Sequence, residues 1–151
     1  MSGKEQDFIK EAFDTNWVVP LGPNVNAFEK SLRGFLIENG KLKVEDEGKQ
    51  VVALSAGTAA LHLGLILLGV QAGDEVICQS FTFCASANPV TYLGATAVFV
   101  DSEEDTWNMN PVLLEEAIRD RMAKTGRKPK AIIPVHLYGM PVKIDEVMEV
   151  A

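Results

Sequence analysis

Histidine and cysteine are scarce in this chain, with two of each among 151 residues. His62 and His136 stand far apart, and neither has a cysteine or carboxylate partner at chelating spacing, so no metal site is read. Cys78 and Cys84 lie in apolar surroundings six positions apart, which suits two buried thiols and no redox or ligand role. Basic residues are also in deficit, 14 against 21 acidic, for a net charge of -7. That balance argues against nucleic acid or an anionic membrane surface as the main partner. No apolar run reaches the roughly 18 residues of a membrane span, and the charged start Met-Ser-Gly-Lys-Glu-Gln-Asp lacks a signal-peptide core. A cytoplasmic location is the default expectation.

Apolar residues are plentiful, at 47% of the chain, enough for one domain with a substantial core. Residues 4–14 read as a helix with Phe8, Ile9, Ala12 and Phe13 on one face. The apolar loop Thr15–Pro23, holding two prolines and a glycine, breaks it. A second helix is expected from Asn24 as its N-cap, with Val25, Phe28, Leu32, Phe35 and Leu36 in a stripe, ending at Asn39-Gly40.

Beyond residue 50 short apolar segments alternate with helical ones. Strands are expected at 50–54, 75–78, 96–100 and 131–135, and helices at 57–68, 84–93 and from Asn110-Pro111 to about 123. Gly69 and Gly94 read as helix stops. Repeated strand–helix units with buried strands predict an α/β fold, a mostly parallel sheet covered by helices on both faces. Ligands of such sheets collect at the carboxyl ends of the strands. Ser55–Thr58, Gln79–Phe83 and His136–Gly139 should share that edge, whereas Asp101–Asn108 reads as an ordinary polar connection. The last helix, with Ile144, Val147, Met148 and Ala151 in a stripe, lacks a stop signal, so the chain reads as a piece of something longer.

Ser55, Ala56, Gly57 and Thr58 are small residues between an expected strand and an expected helix. Backbone amides there can approach a ligand closely, and the helix dipole favours an anion such as phosphate. Ordinary turn and cap chemistry uses the same residues, and the stretch is neither a Walker loop nor a dinucleotide fingerprint.

Six segments in order complete the pattern: Trp17–Glu29, Ser55–Leu61, Gly73–Val76, Ser80–Asn88, Leu93–Asp101 and Val135–Gly139. With them the chain resembles, over essentially its whole length, the N-terminal part of the DegT/DnrJ/EryC1/StrS sugar aminotransferases. These are pyridoxal-phosphate enzymes of aspartate-aminotransferase fold. The resemblance implies that Gly57 and Thr58 bind the cofactor phosphate and that Phe83 lies against the pyridine ring. It puts His136 near the floor of the cofactor pocket and Trp17 in a substrate-side segment. Read from the residues alone, Phe83 is plain core, His136 a hydrogen-bonded structural histidine, and Trp17 a loop residue packed on its domain. Ser86 and Asn88 could line the site or simply pack, and His62, inside a Leu-rich helix, is given no chemical role.

The resemblance divides the chain into an N-terminal helical and loop segment, 1–40, and the first part of a cofactor-binding large domain, 41–151. It implies an amino-acid donor such as glutamate, a nucleotide-linked 4-keto-6-deoxy sugar as acceptor, and a homodimer. A dehydratase of the same fold, or a non-catalytic phosphate-binding α/β module, are the alternatives. No catalytic residue is assigned. The lysine that joins the cofactor covalently and the aspartate that pairs with its pyridinium nitrogen belong to later family motifs, and Lys124, Lys128, Lys130 and Lys143 match neither. The family sheet has seven strands, with the strand at 50–54 separated from the other three by strands outside these residues.

Overall fold

The computed structural model describes residues 2–43 and 49–151. Met1 and residues 44–48, the latter within the expected large-domain segment, lie outside it. The chain forms two compact units, Met1–Ala53 and Leu54–Ala151.

In the first unit α1 spans Glu5–Asp14 and α2 spans Pro23–Glu38. The start of α2 differs from expectation. Gly22, not Asn24, is the N-cap, and Pro23 takes the first turn, where its missing N–H is not needed. Gly22 has φ +150, and a Cβ there would come within 3.1 Å of the Trp17 ring. The indole thus folds back on its own loop, with Trp17 N donating to Ala12 O at 2.8 Å.

Residues 50–54 form no strand, contrary to expectation. Val52 and Leu54 are exposed, and the Ala53 amide donates to a side chain, Glu29 Oε1, at 2.8 Å. A β-branched run becomes a strand only when a neighbour takes its backbone hydrogen bonds. None of the described strands does so.

The second unit holds α3 (Gly57–Leu67), β1 (Glu75–Gln79), α4 (Asn88–Tyr92), β2 (Thr96–Val100), α5 (Pro111–Thr125), β3 (Ala131–Ile133) and α6 (Ile144–Val150). The expected helix at 84–93 is broken into a single tight turn, Cys84–Ser86, followed by α4. Pro89 explains the break: it has no N–H to continue a helix begun at Cys84, but it fits the first turn of a new one. Pro134 likewise ends β3 two residues earlier than expected.

The three strands are parallel, in the order β2-β1-β3, with Ile77 opposite Val98 on one side and Ile132 on the other. Alternation along β1 sends side chains to two cores. Val76 and Cys78 join Leu65 of α3, Val90 of α4 and Ile133 on one face. Ile77 joins Leu114 and Ile118 of α5 and Val147 of α6 on the other. Helices therefore cover both faces, as expected. Ile77 and Leu114 are completely buried, each worth roughly 1.5–3 kcal/mol relative to exposure. Gly69 and Gly94, at φ +72 and +70, provide the left-handed stops after α3 and α4.

Candidate functional site at the carboxyl edge of the sheet

The loops leaving β1 and β3 meet at the carboxyl edge. They enclose a cavity of about 370 Å³ lined by Phe81, Thr82, Phe83, Val135, Leu137 and Tyr138. Phe83 is 77% exposed, so among the described residues its ring is not packed in a core and a face is open to a ligand. Tyr138, at 99%, is more exposed still and holds a left-handed backbone with φ 50. Trp107 has φ 61 and meets Phe81 edge-to-face at 5.8 Å between centroids. Non-glycine residues in this region are held there by their surroundings, and here two of them flank one aromatic surface.

Those surroundings are polar and buried. Gln79, at the end of β1, is completely inaccessible. Its Nε2 donates to Phe81 O at 2.9 Å and its Oε1 accepts from Val135 N at 3.0 Å. Asn108, equally buried, accepts from Leu137 N at 2.9 Å and donates to Met140 O at 2.9 Å. The segment Asp101–Asn108 is therefore more than a connection. Glu103 in it is buried, accepts from the Asp105 and Thr106 amides, and pairs with Lys143 at 3.0 Å. The Thr106 hydroxyl foremost, then Lys143, hold its carboxyl down to about 2. Sequence reasoning missed Gln79 and Asn108 as organisers. Their only signal was an amide residue at the exit of an apolar strand and another ahead of a helix cap.

His136 sits between two cavity-lining residues. It is exposed, and its Nδ1 accepts from Val142 N at 3.0 Å, so the neutral ring carries its proton on Nε2. This contact gives it a structural bond while leaving Nε2–H available.

Gly57 and Thr58 open α3, following Ala56 in an extended conformation with no side-chain cap. Ala56 O takes the amides of Ala59 and Ala60. Among the described residues the Gly57 and Thr58 amides have no acceptor, and a Cβ on Gly57 would meet nothing within 4 Å. Two free N–H groups, a hydroxyl and open space at the positive end of an 11-residue helix form a donor set for an anion. α3 packs against the turn Cys84–Ser86 that follows Phe83, which ties the two parts of the expected site to one framework.

The remaining residues singled out from sequence fall elsewhere. Trp17 belongs to the first unit and is half-exposed. Ser86 is buried, its hydroxyl 3.0 Å from that of Thr82, while Asn88 is exposed at the start of α4. His62 packs edge-to-face on Tyr92 at 5.5 Å. Cys78 is buried, and burial pushes its thiol up to about 11; Cys84 is exposed, contrary to the expectation of two buried thiols. It stands at the start of the tight turn rather than inside a helix packed on the sheet. No helix among the described residues is long and apolar enough to cross a membrane.

Known proteins are similar to this chain in sequence and fold. The EpsN protein of Bacillus subtilis (strain 168) is 50% identical over 149 residues, covering 98% of this chain and 35% of its own. The GDP-perosamine synthase of Caulobacter vibrioides is 40% identical over 151 residues, covering 100% and 36%. Among solved structures, Spr1654 of Streptococcus pneumoniae in its PLP form has TM-score 0.69 and 34% identity, covering 94% of this chain and 32% of that one. The chain spans about a third of the length of the curated relatives it matches. The model of the DegT/DnrJ/EryC1/StrS aminotransferase family matches residues 1–151, and with the parallel sheet and the open helix end in place, the chain belongs to that family.

Proposed function

We propose that the full-length protein is a pyridoxal-phosphate-dependent aminotransferase. It moves an amino group from an amino acid, with glutamate as donor, to a nucleotide-linked 4-keto-6-deoxy sugar in polysaccharide or glycan biosynthesis. The observation that carries this reading is the open end of α3. The unpaired amides of Gly57 and Thr58, with no side chain in front of them, fit a phosphate group. Bound there, pyridoxal phosphate supplies an electron sink for proton removal next to nitrogen.

The residues of this chain hold and orient. Gly57 and Thr58 take the phosphate. Phe83, exposed beside the cavity, stacks on the flat ring at low entropy cost. His136 offers Nε2–H on the cofactor side, and Trp17 belongs to the substrate side. Segment 1–40 serves the substrate and 41–151 begins the cofactor domain. The covalent lysine comes from outside these 151 residues. Lys143 is held by Glu103 and Asp105, each at 3.0 Å, and Lys124 by Asp120 at 2.8 Å. On the family resemblance, which puts the covalent lysine in a later motif, the chain by itself is inactive, and the full-length enzyme works as a cytoplasmic homodimer.

The test incubates the full-length protein with pyridoxal phosphate, glutamate and a nucleotide-linked 4-keto-6-deoxy sugar, following 2-oxoglutarate and the amino sugar by mass. Both products in equal amounts are expected. Water loss from the sugar without amino transfer would point to the dehydratase instead, and no binding of pyridoxal phosphate would overturn the reading.

A further inference from the structure

The two completely buried carboxamides at the carboxyl edge, Gln79 and Asn108, each accept a hydrogen bond from the loop that carries His136. Val135 N donates to Gln79 Oε1 at 3.0 Å and Leu137 N donates to Asn108 Oδ1 at 2.9 Å. The amides on either side of His136 are thus each held by a buried side chain. Gln79 Nε2 also grips Phe81 O at 2.9 Å, two residues before Phe83. A carboxamide donates and accepts at once, so a single side chain can join two loops that a carboxylate or a methionine could not. Burying it costs free energy unless both ends are satisfied, and here both are. What the sheet gains at this position is fixed geometry between the Phe83 loop and the His136 loop.

We infer that Gln79 is a positioning residue of the cofactor site. By joining Phe81 O to Val135 N it sets the spacing between the stacking ring of Phe83 and the imidazole of His136, with Asn108 bracing the far side of His136. This role rests on the reading of Phe83 and His136 as cofactor contacts given above. Gln79 itself touches neither cofactor nor substrate.

The experiment uses the full-length protein and two variants, Gln79→Met and Gln79→Glu. It reads amide hydrogen exchange at Val135, the affinity for pyridoxal phosphate, and the circular dichroism of the bound cofactor's absorption band. Gln79→Met fills a similar volume without either hydrogen bond. It should speed Val135 exchange and weaken cofactor affinity, each by about tenfold, with an altered cofactor band. Gln79→Glu keeps the acceptor for Val135 N but loses the donor to Phe81 O while ionised. Its affinity deficit relative to wild type should shrink as pH falls and the carboxyl regains a proton to donate. That profile tests the role even if Gln79→Met fails to fold. Wild-type affinity and cofactor band in Gln79→Met, or a deficit in Gln79→Glu that ignores pH, overturn the positioning role alone. A wild-type protein that binds no pyridoxal phosphate overturns the functional reading and this role with it.

Discussion

Lys143 Nζ lies 3.0 Å from Glu103 Oε2, tying the lead-in to α6 to the loop that follows β2. The carboxylate is buried and the ammonium partly so, and Asp105 shares the same ammonium at 3.0 Å. Contacts of this kind fasten the polar rim of the candidate site.

Glu103 makes stability acid-sensitive. Its carboxyl is held down from an ordinary 4.5 to about 2. A depressed folded value means that the contribution is complete above about 4.5 and is lost as pH falls toward about 2. Glu103→Gln should therefore lower the urea midpoint of the full-length protein near neutral pH. The gap to wild type should close as pH falls through that window. A gap that stays constant with pH would show that the charge is not what matters.

Gly94 ends α4 at φ +70, and a Cβ added there would stand 3.1 Å from Ala72 Cβ. Gly94→Ala combines left-handed strain with a tight contact and should cost about 1–3 kcal/mol in denaturant unfolding. Gly126, at φ +71 with nothing near its Cβ position, serves as the control, since Gly126→Ala adds strain without the contact and should cost less.

Asn110 caps α5, its side chain accepting from Val112 N at 2.9 Å and Leu113 N at 3.3 Å. Asn110→Ala should cost about 0.5–2 kcal/mol in unfolding free energy, and Asn110→Asp should restore most of it. An equal loss in both variants would assign the effect to packing.

Gly57 occupies the first helical position of α3, after an extended Ala56. Proline is tolerated at that position and favours an extended predecessor, so Gly57→Pro should keep the helix while deleting one amide donor. Affinity of the full-length protein for pyridoxal phosphate should fall roughly tenfold or more, since hydrogen bonds to a charged group are the strong ones. Gly57→Ala, which keeps the amide, separates loss of the donor from added bulk. Unchanged binding in Gly57→Pro would remove this amide from the phosphate site.

Local chemistry by itself determined much of this protein. The β-branched segments around Val76 and Val98 became parallel strands, Asn110-Pro111 opened a helix, and Gly69 and Gly94 closed two others. Small residues at Ser55–Thr58 marked the helix end whose amides remain free. These features depend on neighbours in sequence, on φ preferences and on periodicity, and so they can be read from it. Tertiary structure decided the rest. Residues 50–54 have the composition of a strand, yet none of the described strands pairs with them. Phe83 has the composition of core and stands exposed, because the turn Cys84–Ser86 and Pro89 direct its loop to the sheet edge. Gln79 and Asn108 become clamps only because the fold brings them to amides 56 and 29 residues away. A hydrogen bond across that separation is invisible to local pattern: it exists only once parallel strands place β1 beside β3 and close the loops between them.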